Sequence, residues 1–156
     1  MFERTSRAIN AFVEKVLFVI GTVICVILFA QVVFRYAGAS LGWSEEVSRH
    51  LLVAITFLGG TVAYKRASFI GLRGFGHHLG PVVQRIIVVG LQVLTLILFA
   101  LIAWFGATYT VKAAEHTSSS LQIPMAIPFA VIPIAAVIFV IHVLADMSRT
   151  LGGQNP

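Results

Sequence analysis

Four long apolar segments, separated by short polar stretches, constrain this sequence more than any other feature. They cover approximately residues 16–34, 47–64, 82–109 and 125–145. A helix rises about 1.5 Å per residue, so about 20 residues cross the roughly 30 Å hydrocarbon core of a bilayer. Backbone groups in lipid must bond within the segment, and alternation with a period of two is absent, which favours helices over a barrel. The sequence predicts an all-α integral membrane protein, one domain with four transmembrane helices.

The composition supports this prediction and limits the classes of function. Of the 156 residues, 58% are hydrophobic and 11% are charged, which leaves too little polar surface for a soluble domain. The formal net charge of +5 does not indicate nucleic acid, because the basic residues flank the apolar segments instead of lining one soluble face. The one cysteine, Cys25, lies in an apolar segment and excludes an intrachain disulfide. We expect contact with the lipid bilayer and no nucleic-acid partner.

The first apolar segment follows basic residues, as the apolar part of a signal peptide does. It contains 19 residues, whereas signal peptides use about 7 to 15. Arg35 and Tyr36 also separate it from Ala37-Gly-Ala39, the stretch that resembles a cleavage site. We interpret it as a retained first span.

The distribution of Lys and Arg predicts the orientation. With four spans, the side that carries both termini has eight basic residues: Arg4, Arg7, Lys15, Lys65, Arg66, Arg73, Arg85 and Arg149. The opposite side has three, Arg35, Arg49 and Lys112. Because cytoplasmic connections are enriched in basic residues, we expect both termini in the cytoplasm and residues 35–46 and 110–124 outside.

Two adjacent acids, Glu45 and Glu46, mark the start of the second span beside Trp43. A serine hydroxyl can cap a helix start and carboxylates oppose the helix dipole there, so Ser44 and the acids suit this position. Glu45 and Arg49 are four residues apart, a spacing that allows a local salt bridge. Because ionisable groups at membrane depth are costly, we favour subunit packing or partner docking over capping alone.

Arg35 ends the first span at the same predicted surface. Tyr36 beside it is a typical interface anchor, and the arginine side chain can extend towards water. Alternatively, Arg35 pairs with Glu45 or Glu46 across the connection. The sequence leaves both alternatives open.

Small residues and prolines predict local packing. Gly59, Gly60 and Ala63 place small side chains four residues apart, which permits close approach of another helix. Pro124 suits the first turn of the fourth helix, where a missing N–H is harmless. Pro133 lies further inside and should kink that helix.

Histidines raise one alternative function. His50 and His142 lie in different spans, as haem ligands of a membrane anchor do, but the predicted topology puts them near opposite surfaces. His77 and His78 have no further ligands nearby in sequence, so a metal site is not expected. No nucleotide-binding loop or Ser/His/Asp set appears, and we predict no cofactor, no enzyme activity and an accessory subunit. The alternatives are the anchor subunit of a redox enzyme and a small self-assembling exporter or channel.

Four stretches, in this order and spacing, resemble the small membrane subunit of tripartite ATP-independent periplasmic (TRAP) transporters. They are Phe34-Arg-Tyr, Ser40-Leu-Gly-Trp-Ser-Glu-Glu, Thr56-Phe-Leu-Gly-Gly and Leu121-Gln-Ile-Pro-Met. After the second span, residues 69–73 depart from the family pattern, with Phe69 in place of its His and Arg73 in place of its Asp.

The resemblance implies a bacterial inner-membrane, non-catalytic subunit that scaffolds a large polytopic membrane subunit. It implies sodium-gradient-driven uptake of a carboxylate-type substrate, delivered by a periplasmic substrate-binding protein. Carried over to this chain, the resemblance makes six residues candidates for subunit packing or binding-protein docking: Arg35, Trp43, Ser44, Glu45, Glu46 and Arg49.

Overall fold

The computed structural model describes residues 2–67 and 81–151. Within them lie α1 (Phe2–Tyr36), α2 (Gly42–Ala67), α3 (Pro81–Ala113), the short α4 (Ala126–Phe129) and α5 (Val131–Leu151). Four helical stretches of these described residues are long and apolar enough to cross a membrane: Thr5–Tyr36, Gly42–Arg66, Val82–Ala113 and Ala126–Thr150. The all-α fold with four such helices is confirmed. The divergent stretch 69–73 and the pair His77 and His78 lie outside the described residues.

The first three long helices, α1, α2 and α3, are longer than the apolar segments from which they were predicted. α1 has 35 residues, about 52 Å of helix at the standard rise, against a hydrocarbon core of roughly 30 Å. Its first part is polar on one side, and Ser6 and Glu14 on that side bond to other helices. The helix therefore extends beyond its apolar stretch, and Ser6 and Glu14 of this extension have partners on other helices.

The central element is α5, which packs against α1, α2 and α3. α1 also packs against α2, whereas α3 packs chiefly on α5. As a result, most apolar side chains of α1 and α3 face outward. In lipid such side chains gain little by leaving the hydrocarbon, so close packing and polar contacts determine where each helix lies.

Phe139 of α5 forms the main aromatic contact of the bundle. Its ring stacks on Phe99 of α3, with centroids 3.8 Å apart, and meets Tyr64 of α2 edge-on at 5.7 Å. A Cβ added at Gly60 would lie 3.3 Å from the Phe139 ring. The absence of a side chain at Gly60 therefore lets this ring contact both neighbouring helices.

The other two small residues of α2 lie in more open surroundings within the described part of the chain. A Cβ added at Gly59 meets nothing within 4 Å, and Ala63 is exposed. Gly59 and Ala63 lie on the side of α2 turned away from α5. Within the described chain, the small residue in contact with another helix is therefore Gly60, whereas the faces of Gly59 and Ala63 are open to another molecule.

The fourth span is interrupted at Ala130, between α4 and α5. Pro133 has no N–H to donate to the carbonyl of Phe129, and its ring crowds that carbonyl, which weakens the helix at this point. Ala130 keeps helical dihedral angles and its N–H donates to Ala126 O at 2.9 Å. Pro124 lies two residues before α4 and not at its first position, because an isolated bridge pairs it with Thr117.

Candidate functional site

The end of the bundle that holds the α1–α2 and α3–α4 connections, called the loop end here, contains the predicted site residues. α1 ends in a tight turn in which Gly38 adopts φ 77°, a conformation that suits glycine. Ser44 is the third residue of α2, fully buried, and its hydroxyl donates to Leu41 O at 2.7 Å. The predicted capping role of Ser44 is therefore wrong: its hydroxyl bonds a carbonyl of the preceding turn and does not receive an N–H of α2.

Glu45 and Arg49 form an exposed pair. Their side chains are 74% and 72% exposed, with the guanidinium Nη2 3.2 Å from the carboxylate Oε1. An exposed pair four residues apart in a helix stabilises a fold little. These two charges are accordingly available to another molecule at small cost to the bundle.

Glu46 is oriented differently from its neighbour. Its side chain is 17% exposed, and Oε2 accepts the backbone N–H of Ser120 at 3.0 Å. Oε1 lies 3.7 Å from Nε2 of His50. Adjacent residues of a helix point about 100° apart, so one acid faces outward while the next faces the α3–α4 connection. The sequence analysis assigned the two acids one shared role, whereas in the structure Glu45 is exposed and Glu46 is largely covered.

Two further predicted residues lie on the surface of the loop end. Trp43 is 44% exposed and Arg35 is exposed. Within the described residues, the carboxylates of Glu45 and Glu46 bond groups other than Arg35. The predicted alternative of an Arg35 pair across the connection is therefore not formed.

At the opposite end, called the termini end here, a buried ion pair joins two helices. Lys65 Nζ of α2 lies 2.9 Å from Asp146 Oδ1 of α5, and the side chains are 5% and 8% exposed. The mutual attraction of two opposite charges offsets the cost of burying them. Removal of either one leaves an uncompensated buried charge, which destabilises the fold. This pair fixes how α2 faces α5.

Further polar contacts connect all four long helices at the termini end. Ser6 Oγ of α1 lies 2.8 Å from Nδ1 of His142, and both residues are fully buried. Gln92 of α3 donates to the Thr150 hydroxyl at 3.2 Å. The more exposed Arg66 pairs with Glu14 of α1 at 2.9 Å.

Replacing Ser6 by Ala is expected to lower the free energy of unfolding by about 1–3 kcal/mol, because the fully buried His142 then loses the partner of its ring nitrogen. Thermal unfolding of the purified chain in detergent measures this loss. Ser148→Ala is the control, because Ser148 is exposed and its hydroxyl bonds a carbonyl of its own helix. Equal stability of both variants would contradict the structural role of the Ser6–His142 contact.

Sequence reasoning missed the buried contacts at the termini end. It counted Lys65 among the basic residues that predict the orientation and assigned no role to Asp146, which directly follows the fourth apolar segment. The signal was present, because two opposite charges ended two spans on the same predicted side of the membrane. The sequence does not give the rotation of each helix about its own axis, so it does not show whether the two side chains face each other.

The two histidines considered as haem ligands do not come together. His142 contacts Ser6 at the termini end, whereas His50 lies beside Glu46 at the loop end. His50 precedes Lys65 by fifteen residues of α2, about 22 Å of helix. Among the described residues, no group of three or more His, Cys, Asp or Glu side chains is placed to hold a metal ion.

Comparison with known proteins gives two matches. The family model described as tripartite ATP-independent periplasmic transporters, DctQ component, matches residues 24–153. The isethionate TRAP transporter permease protein DctMQ of Oleidesulfovibrio alaskensis is 28% identical over 151 residues. The match covers 90% of this chain and 24% of that protein. The chain thus spans about a quarter of the length of this curated relative.

Proposed function

The chain belongs to the DctQ component family of tripartite ATP-independent periplasmic transporters, and we propose that it is the small, non-catalytic subunit that scaffolds the large transport subunit. Membership makes it an inner-membrane transporter component that partners a large membrane subunit. The four helices of the described residues that are long and apolar enough to cross a membrane suit that location. The observation that carries the proposal is the family match, which extends from within α1 to beyond the end of α5.

A scaffolding role is supported by the contacts of the ionisable side chains inside the bundle. Lys65 and Asp146 are bonded to each other, and His142 contacts Ser6. These interhelical contacts between buried polar side chains stabilise the positions of the helices. The outward apolar faces of α1 and α3 offer a large surface to lipid and to the large subunit.

The name of the relative supports the proposed partnership. It is called a DctMQ permease, and this chain corresponds to about a quarter of its length. We propose that the remaining length of the relative corresponds to the large membrane subunit, and that this chain binds such a subunit.

The transport reaction that we propose is sodium-gradient-driven uptake of a carboxylate-type substrate delivered by a periplasmic substrate-binding protein. The relative is named for isethionate, a sulfonate. Carboxylates and sulfonates are both small organic anions, so isethionate is the second substrate to test. The small subunit is not proposed to contact either of them.

In this proposal both termini face the cytoplasm and the loop end faces the periplasm, as the basic residues favour. The exposed residues Arg35, Trp43, Glu45 and Arg49 then lie on the periplasmic surface. There they are candidates for contact with the binding protein or with the large subunit. Ser44, which is buried, is removed from this set.

When this chain is tagged and expressed with a large TRAP membrane subunit and a substrate-binding protein from the same organism, we expect the large subunit to co-purify. Reconstituted vesicles should take up substrate only with both membrane subunits, the loaded binding protein and an inward sodium gradient. Transport by this chain alone, or purification as a homo-oligomer without the large subunit, would overturn the proposal. A Soret absorbance band would instead support the redox-anchor alternative.

A further inference from the structure

The connection between α3 and α4 is irregular but has an ordered internal structure. The N–H of Ser118 donates to Ile123 O at 2.9 Å, and the N–H of Met125 donates to His116 O at 2.9 Å. The buried Ser118 hydroxyl accepts the N–H of Leu121 at 3.1 Å. These bonds shape residues 116–125 into a compact loop, whose tip residues Ser119, Ser120 and Gln122 are exposed.

The internal bonds of this loop do not determine where it lies relative to α2. The contacts that do so are made by the Glu46 carboxylate, whose Oε2 accepts the N–H of Ser120, 74 residues away in sequence, and which also bonds the Ser118 side chain. A carboxylate accepting a backbone N–H forms a charge-assisted hydrogen bond, roughly twice as strong as a neutral one. Because Glu46 is largely covered and Ser120 is at the tip, the bond fixes the exposed end of the loop against the start of α2.

We infer that Glu46 is a positioning residue: it holds the loop of residues 116–125 in place, so that a partner at the loop end meets the loop tip and the exposed Glu45–Arg49 pair. Glu46 itself faces inward and makes no contact with that partner. The inference deepens the proposed function and rests on it for the partner, the soluble substrate-binding protein of the transporter.

The neighbouring acid provides a matched control. Glu45 and Glu46 share a helix turn and a charge, but Glu45 bonds only to the exposed Arg49 among the described residues. If the loss of a negative charge at this helix start were sufficient, both alanine variants would change the amide hydrogen exchange of the loop. If Glu46 positions the loop, only Glu46→Ala will change the amide hydrogen exchange of the loop.

The test uses the complete complex with the large subunit and measures amide hydrogen exchange in peptides covering residues 116–125. Glu46→Ala should accelerate exchange at the loop tip by about tenfold, the factor expected for loss of one charge-assisted bond. Glu46→Gln retains an oxygen acceptor, so its exchange rate should be closer to that of the unchanged protein. Glu45→Ala should leave the exchange rate as it is. Unchanged exchange in Glu46→Ala, or equal acceleration in Glu45→Ala, would overturn the inference.

A second measurement separates this inference from the proposed function. Titration of the same complexes with the substrate-loaded binding protein should show weaker docking for Glu46→Ala and for Glu45→Ala, the latter without a change in loop exchange. If Glu46→Ala accelerates exchange while neither variant alters docking, the positioning role of Glu46 stands. The proposed docking of the binding protein at the loop end is then wrong.

Discussion

Replacing Asp146 by Asn is expected to destabilise the bundle by about 3–5 kcal/mol, the usual cost of removing one partner of a buried ion pair. The ammonium of Lys65 lies 2.9 Å from the Asp146 carboxylate, and both side chains are almost fully buried. Asn preserves the shape of the side chain and removes its charge. The lysine charge then remains inside the protein without its counter-charge, which is the main cause of the loss.

The measurement is thermal unfolding of the purified chain in detergent, alone and with the large subunit. Lys65→Met combined with Asp146→Leu removes both charges and should recover most of the stability, because an apolar pair of similar volume often replaces a buried ion pair without loss. Glu14→Gln is the matched control at the more exposed Arg66–Glu14 pair, where we expect a much smaller loss of stability. An Asp146→Asn variant as stable as Glu14→Gln would contradict the importance of the buried pair.

Replacing Gly60 by Leu is the second change with a large expected effect. A Cβ at this position already lies 3.3 Å from Cζ and 3.5 Å from Cε2 of Phe139. The ring cannot retreat easily, because it is stacked on Phe99 at 3.8 Å. Forcing additional atoms into such a contact costs about 1–3 kcal/mol, and we expect α2 and α5 to separate locally.

Gly59 is a control of the same residue type, next in the sequence. A Cβ there meets nothing within 4 Å in the described chain, so Gly59→Leu should leave the unfolding temperature of the isolated chain close to that of the unchanged protein. Helix propensity would favour Leu at both positions equally. If both variants are equally unstable, the loss of stability arises within α2 itself and not at its contact with Phe139.

The exposed and covered acids of the loop end show how far sequence reasoning reaches. The sequence places Glu45 and Glu46 at a helix start and pairs the first of them with Arg49 by spacing alone. Spacing along one helix is local information, and this pair is formed. The bond of Glu46 to Ser120 crosses 74 residues, and no periodicity in the sequence relates these two positions.

The buried pair at the termini end shows the same limit. Lys65 and Asp146 end two predicted spans on one side, but almost every side of those spans is apolar. Apolar periodicity therefore does not indicate which face of α2 meets α5. Only the folded arrangement, in which Ser6, Lys65 and Gln92 reach α5 from three different helices, reveals the polar contacts that hold it.

The amino-acid sequence by itself determined the class of fold, the number of spans and the family. A bilayer requires every backbone group to bond within its segment, so long apolar stretches become helices whatever their neighbours are. Helix order around α5, the inward turn of Glu46 and the burial of Lys65 with Asp146 were decided only by the tertiary structure. Lipid does not favour one apolar face over another, so these features depend on a few polar and close-packed contacts between residues distant in sequence.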